Sequence, residues 1–337
     1  MNEVWVYIEQ EDSKISRVSL EILSEGKKLA TKLGVKLGAL LLGEQVESLT
    51  SELYHYGAEK VYLVDHRNLK LYSTLPYARN IEALAKEYSP QIILFGASLV
   101  GRDLAPRVSA GLKCGLTADC TQLEIADVNF KKVDYKNILI QTRPAFGGNI
   151  IASIITPTTR PQMATVREGV MSLCSCNPNL KGELIRFNFI SSFEDSLIKI
   201  LKHHKEEKKV DFKDSHVIIT VGAGVGTAEN MKHIERLAKI LNAQIGATRS
   251  AVEKGLLSRD HQIGQTGVTV RPKLYIACGA SGAIQHRVGM ERSDMIVAFN
   301  NNAEAPILKI AHHAVIGDLK QTIPMFIDAF KRRLSSL

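Results

Sequence analysis

The stretch Leu274-Tyr275-Ile276-Ala277-Cys278-Gly279-Ala280-Ser281-Gly282-Ala283-Ile284-Gln285-His286 decides the fold of the C-terminal half. Its apolar start predicts a strand. A continuous apolar run, rather than strict alternation, is what a strand covered on both faces requires. Small and polar residues follow, and a helix is expected to start near Gly282. Glycine lets backbone approach closely and adopt positive φ. Just upstream, Ile263-Gly264-Gln265-Thr266-Gly267 reads as a second short strand ending in the same kind of turn. Hydroxyls, amides and an imidazole concentrated at two turns point to a ligand.

Working outward, His216–Val221 (HVIITV) leads into Gly222-Ala223-Gly224-Val225-Gly226 and then a helix from about Thr227 to Asn242. Strand, glycine-rich turn and helix open a dinucleotide fold. The run lacks a glycine three residues after the second, so a plain tight turn is an equal reading. Ala243–Ala247 predicts a strand ending in Thr248-Arg249-Ser250, with a helix over Ser250–Lys254 stopped by Gly255. Met295–Asn300 and Val315–Asp318 are further strands, and a last long helix is expected after Pro324. Each strand end carries one polar residue: Thr248, Thr266, Ser281, Asn300 and Asp318. One such residue is normally a cap; a set on one sheet suggests a ligand across the tips. A dinucleotide would place its pyrophosphate at Ser281-Gly282-Ala283, assisted by the helix dipole. Asn300 or Asp318 would take a ribose or adenine edge, leaving Arg249, Thr266 and His286 for the reactive ring. His286 alone would read as a satisfied buried histidine; beside Gln285 and Ser281-Gly282 it reads as a ligand contact.

The N-terminal half alternates strand and helix up to about Ser98: Val4–Glu9, a helix over Ser16–Leu33, Val35–Leu42, Ser48–His55, Lys60–Val64, Pro76–Tyr88 and Gln91–Gly96. That is a parallel sheet with right-handed crossovers. Gly101-Arg102-Asp103 opens a further helix, read as a cap with inter-domain contacts in preference to a phosphate site. From Cys114 to Val170 strands follow without long helices: Cys120–Ile125, Ile138–Thr142, Asn149–Ile155 and Gln162–Val166. These predict an antiparallel meander appended to the first sheet. The fold class is therefore α/β in two domains: residues 1–195, a linker 196–214 rich in lysine, and 215–337 as a Rossmann-like domain. The linker would let the second domain turn.

At 337 residues two domains are expected. No apolar run approaches ~18 residues, so no membrane span is predicted. No leader is evident, and a cytoplasmic location is expected. Lys+Arg 43 against Asp+Glu 35 gives +8. With no nucleic-acid motif beside it, that excess predicts an acidic protein partner and no nucleic acid. Five scattered cysteines predict reduced thiols, including Cys174-Ser175-Cys176.

Taken together, Gly246-Ala247-Thr248-Arg249, Gly264-Gln265-Thr266-Gly267, the run from Pro272 to His286, Ala298-x-Asn300 and Glu304-Ala305-Pro306-Ile307 resemble the alpha subunit of electron transfer flavoprotein. Gly101 to Arg107 and Thr117-Ala118-Asp119 agree with the family too, and Thr142 to Asn149 with Arg160 to Arg167 resemble members from anaerobic bacteria that serve acyl-CoA dehydrogenases. The resemblance implies FAD in the C-terminal domain and a heterodimer with an electron transfer flavoprotein beta subunit. It implies an electron carrier, with no catalytic or metal residues of its own, working with an acyl-CoA dehydrogenase. Whether the complex bifurcates electrons stays open at this point. It implies Arg249 by the flavin ring, Thr266 on N5 and His286 at the C2 carbonyl, with Ile263, Gly264, Gln265, Ile284 and Gln285 lining the pocket. Thr248, Ser281, Gly282 and Ala283 would meet the pyrophosphate, and Asn300, Asp318 and Leu319 the ADP end. One departure is Ala223, at a position where relatives carry an arginine toward the phosphates. The competing readings are a nicotinamide-dependent oxidoreductase using Gly222–Gly226, against which no acidic residue stands about 20 positions on, and a nucleotide-binding module that is not an enzyme.

Overall fold

In the computed structural model, residues 3–145, 150–196, 200, 210, 212 and 215–334 are described. The chain divides into two compact units, Met1–His203 and His204–Leu337. Most of the expected 196–214 linker, and the turn residues 146–149, lie outside the described residues.

The first unit runs β1 (Val4–Ile8), a small ribbon of β2 (Gln10–Glu11) and β3 (Lys14–Ile15), α1 (Arg17–Leu33), β4 (Leu37–Gly43), α2 (Thr50–His55), β5 (Lys60–Asp65), α3 (Thr74–Tyr88), β6 (Ile92–Gly96), α4 (Leu99–Leu112) and β7 (Leu116–Cys120). Then come β8 (Gln122–Phe130), β9 (Val133–Ala145), β10 (Ile150–Ile154), β11 (Gln162–Val166) and β12 (Glu183–Arg186). Seven strands make one parallel sheet in the order β12-β5-β4-β1-β6-β11-β7. Every residue of β1, β4, β6 and β11 is buried, which is why β1, β4 and β6 read as nearly continuous apolar runs; β11 also buries the polar Gln162 and Thr165. Val6, Ile22, Leu41 and Leu94 belong to the core on one face; Trp5, Tyr62, Phe95 and Leu104 to that on the other.

The meander differs from expectation at its end. Strands β8, β9 and β10 do form a three-stranded antiparallel sheet. Gln162–Val166 leaves it and inserts between β6 and β7 as a parallel strand. The meander thus takes the place of a crossover helix, and local turn signals carry no trace of that return. At the start of α4, the Ser98 hydroxyl accepts from the Gly101 N–H at 3.0 Å and donates to the Glu9 carboxylate. A protein carboxylate already stands by this helix start, so the capping reading of Gly101-Arg102-Asp103 is the one that fits. All five cysteines are unpaired.

The second unit runs β13 (Val217–Val221), α5 (Ala228–Leu241), β14 (Gln244–Ala247), α6 (Arg249–Glu253), β15 (Leu274–Cys278), α7 (Ile284–Arg287), β16 (Met295–Asn300), β17 (His313–Ile316) and α8 (Leu319–Leu334). Its five strands are all parallel, in the order β14-β13-β15-β16-β17. The chain goes from β13 outward to β14, then returns to the other side of β13 as β15. The order therefore reverses beside β13, and open α/β sheets bind ligands at the carboxyl ends of strands at such a point. α8 begins before Pro324, because Asp318 caps it: its carboxylate accepts from the Lys320 N–H at 2.9 Å. Ile263–Gly267 is a turn rather than a strand, fixed by single bridges Ala247↔Gln262 and Ile263↔Val268.

Candidate functional site

The candidate site is built at the carboxyl edge of the second sheet from two turns that share backbone. The first, after α6, covers residues 262–268. Its geometry is closed by Val268 N–H to the Gln262 carbonyl at 2.8 Å and Gly267 N–H to the Gly264 carbonyl at 3.1 Å. The second, after β15, covers residues 279–289 and contains α7. They meet where the Gln265 N–H donates to the Gln285 carbonyl at 2.7 Å. Gly264 has φ +140°, and a Cβ there would stand 2.7 Å from the Gln285 oxygen. A Cβ on Gly289 would stand 2.5 Å from the Gly264 Cα. Both glycines are therefore demanded by the contact between turns.

The tie to the sheet runs through Ile263. Its N–H donates to the Ala247 carbonyl at 2.9 Å. Its carbonyl faces Nδ1 of His286 at 3.0 Å. The other ring nitrogen, Nε2, is 3.0 Å from the Tyr275 hydroxyl, and the Thr220 hydroxyl donates to that same oxygen. A carbonyl can only accept, so Nδ1 carries the proton. In the neutral ring Nε2 carries the lone pair, and the Tyr275 O–H donates to it. His286 is buried, with burial pushing its pKa below the usual histidine value against the opposing pull of the Ile263 carbonyl. The expectation that His286 donates to a ligand differs from this arrangement: both ring nitrogens are taken by protein.

Beside these turns, Gln265, Thr266, Ser281, Ala283, Ile284, Gln285 and Arg249 are exposed. Thr266 accepts from Gln262 Nε2 at 2.8 Å. Arg249 pairs with Glu253 at 2.8 Å, one turn along α6. Thr248 is buried, and its hydroxyl accepts from the Ala251 N–H at 3.3 Å as the cap of α6.

Several expected contacts turn out to be spent on the protein. Asn300 is buried, with Nδ2 donating to the Ala280 carbonyl at 2.8 Å and Oδ1 accepting from the Asn302 N–H at 2.9 Å. It shapes the Ala280–Ser281 turn. The Leu319 side chain lies in the core, so only its backbone could meet a ligand. Gly282, at φ +84°, packs against the 3₁₀ turn Pro306–Lys309, where a Cβ would meet the Ile307 nitrogen at 2.2 Å. The glycines of Gly222-Ala223-Gly224 likewise face Gly279: Cβ atoms on Gly222 and Gly224 would lie 2.1 and 2.8 Å from its oxygen. That turn is tight because two strand ends touch there, a contact the glycine spacing did not distinguish from phosphate binding.

The exposed set at the tips is a guanidinium, two amides, two hydroxyls and the apolar Ile284. This donor set fits a flavin, whose ring carries carbonyl and nitrogen acceptors along a flat apolar body. It offers no metal site: among the described residues no group of three or more His, Cys, Asp or Glu could hold an ion.

Comparison with known proteins agrees. Residues 4–191 match the model of the electron transfer flavoprotein domain, and residues 211–291 match that of the electron transfer flavoprotein FAD-binding domain. The chain is 46% identical over 331 residues, 98% of each chain, to the electron transfer flavoprotein subunit alpha of Thermoanaerobacterium thermosaccharolyticum. The chain belongs to the electron transfer flavoprotein alpha-subunit family. As a member it is an electron carrier with an FAD-binding domain. It is also similar to the protein FixB of Clostridium saccharobutylicum, at 45% identity over 99% of this chain and 97% of the relative. The acryloyl-CoA reductase electron transfer subunit beta of Anaerotignum propionicum is 41% identical, over 98% and 95%. No described helix is long and apolar enough to cross a membrane.

Residues that sequence reasoning missed are the supports: Thr220, Tyr275, Gln262, Gly289 and the Ala280 carbonyl. Thr220 and Tyr275 look like ordinary strand interior, and nothing local marks them as partners of His286.

Proposed function

We propose that this chain holds FAD across the 262–268 and 279–289 turns of its second unit. The observation that carries the reading is the junction of those turns at Gln265 N–H and the Gln285 carbonyl, which brings the exposed Thr266, Gln265 and Gln285 side chains to one edge. Thr266 and Gln265 would face the flavin ring, with Arg249 supplying positive charge. Ser281 and the backbone at Gly282 and Ala283 would meet the pyrophosphate, beside the Thr248 cap of α6. Asp318 and the Leu319 backbone would meet the ADP end. Asn300 acts by fixing Ala280, and His286 by fixing Ile263. Bound FAD supplies the capacity to take up and release electrons one or two at a time. The protein's part is to bind the ring, orient it and set its charge environment.

The chain would work as a heterodimer with a beta subunit, passing electrons to or from an acyl-CoA dehydrogenase. Support comes from the family's division into subunits and from a relative named for acryloyl-CoA reductase. The units 1–195 and 215–337, joined by 196–214, would be the body that meets the beta subunit and the FAD carrier. A test is to purify the co-expressed pair and mix it with an acyl-CoA dehydrogenase reduced by its acyl-CoA substrate. Bleaching of a flavin absorbance supports the carrier role. A colourless pair, or flavin that bleaches with NADH alone and never with the dehydrogenase, counts against it.

A further inference from the structure

We propose that Pro306 and Ile307 are positioning residues that aim the backbone N–H groups of Ser281 and Gly282 at the cofactor's pyrophosphate. The inference rests on the reading that FAD lies at these turns. Three successive carbonyls after β15 are each taken by a separate protein donor. Gly279 accepts from the Gly224 N–H at 3.0 Å, Ala280 from Asn300 Nδ2 at 2.8 Å, and Ser281 from the Ile307 N–H at 3.1 Å. The donor roles are set by the atoms: a backbone N–H only donates, and Asn300 faces a carbonyl on one side and the Asn302 N–H on the other. A trans peptide is planar, with its N–H opposite its C=O. The Ala280 and Ser281 carbonyls point at Asn300 and Ile307, so the Ser281 and Gly282 N–H groups point away from them. Neither N–H has an acceptor among the described residues, and Gly282 is buried. A buried backbone donor without a partner is rare, and an anion set against it resolves the deficit.

The run Glu304-Ala305-Pro306-Ile307 builds the donor that Ser281 meets. Asn302 Oδ1 accepts from the Glu304 N–H at 3.0 Å, and the Asn302 carbonyl from the Ala305 N–H at 3.1 Å. Pro306 then opens the 3₁₀ turn Pro306–Lys309, where its fixed φ suits the turn and its missing N–H is no loss. Ala305 and Ile307 are buried, at 3% and 0% exposure, in the core cluster that also holds Ala280. The turn is therefore gripped by the core while it presents the Ile307 N–H to Ser281. Only a glycine at 282 lets it come so close. Pro306 and Ile307 act through Ser281 and Gly282, at the phosphate end. The residues assigned to the flavin ring, Thr266, Gln265 and Arg249, lie on other segments, so the two ends of the cofactor should respond separately.

The test uses the co-expressed pair in wild type, in Pro306→Ala, and in a variant with Ile307 replaced by the matching α-hydroxy acid. That replacement turns the Ile307 N–H into an ester oxygen and keeps the side chain. In the ester variant FAD should bind about tenfold more weakly. The phosphorus NMR signals of bound FAD should move, while its midpoint potential stays at the wild-type value. Riboflavin, which has the ring but no phosphates, should bind all three proteins alike. Pro306→Ala, which only loosens the turn, should weaken FAD by about threefold in the same pattern. FAD affinity and phosphorus signals unchanged in both variants would overturn the proposal. So would a potential and riboflavin affinity that shift along with FAD affinity, since that marks a general loosening of the site. Failure of FAD to bind wild type strikes the cofactor reading instead. Inorganic pyrophosphate then decides the assignment on the flavin-free pair: slowed amide exchange at Ser281 and Gly282 in wild type, lost in the ester variant, supports it, and unchanged exchange overturns it.

Discussion

The Gln265 N–H donates to the Gln285 carbonyl at 2.7 Å, and this bond joins the two candidate ligand turns into one piece of backbone. Anything that pushes the turns apart should release the cofactor before it unfolds the unit.

Gly264→Ala does that. At φ +140° an alanine is strained, and its Cβ would press on the Gln285 oxygen at 2.7 Å. The cost is on the order of 1–3 kcal/mol. The expected result is a folded protein with most of its FAD lost, read as flavin absorbance per protein beside circular dichroism. Full flavin content would show that the two turns do not hold it.

Asn300→Ala removes both side-chain bonds that set the Ala280 turn. The buried Ala280 carbonyl and the partly buried Asn302 N–H lose their partners, so destabilisation of about 2 kcal/mol is expected. FAD should dissociate more readily, which fluorescence of released flavin would follow. A variant as stable as wild type that still loosens FAD would point to direct contact with the ligand.

Arg249→Ala tests the charge assignment. Arg249 is exposed and paired with Glu253, so solvent screens it. The FAD midpoint potential should fall by an amount equivalent to about 1 kcal/mol, roughly 20 mV for two electrons, with FAD retained. A spectroelectrochemical titration reads this directly, and an unchanged potential would remove Arg249 from the ring.

A pH effect is expected in the first unit, at the start of β1. Glu3 is buried; its carboxylate accepts from Lys60 at 2.8 Å and from Trp5 and Tyr62, each at 2.8 Å. Burial works to raise its pKa, but these hydrogen bonds outweigh it and the net direction is down from 4.5. The folded carboxyl therefore binds its proton less tightly than the unfolded one. Its contribution is present above the unfolded pKa and is lost as pH falls through the folded value. Glu3→Gln strands the Lys60 ammonium and should cost about 3–5 kcal/mol near neutrality. Denaturant midpoints at about pH 7 and about pH 3 should show that loss shrinking in acid; an equal loss at both would contradict the ion-pair account.

How much was legible in the sequence follows from what each residue contacts. Leu274–Cys278 and Met295–Asn300 read as strands because both faces of a parallel sheet must be apolar. Glycine and polar residues past those strands showed where chain turns crowd together. What stayed hidden depended on distant pairing. Asn300 and Asp318 read as ligand contacts, and nothing local showed that Asn300 also holds the Ala280 carbonyl and that Asp318 also caps α8. Gly222 and Gly224 read equally as a phosphate loop or a plain tight turn, and the contact that decides the turn is with the distant Gly279. Tyr275 looked like core, and only its hydroxyl's position against His286 gives it a role. Gln162–Val166 followed the meander in sequence but left it in space, because its pairing partners are β6 and β7.

Amide hydrogen exchange on flavin-free and FAD-loaded protein, taken as the co-expressed pair, tests the central claim most directly. The account predicts that FAD slows exchange over residues 262–268 and 281–287 together, with smaller protection where α6 begins at Arg249. Protection confined to Gly222–Gly226, or to the first unit, with both turns exchanging as in the flavin-free protein, would contradict it.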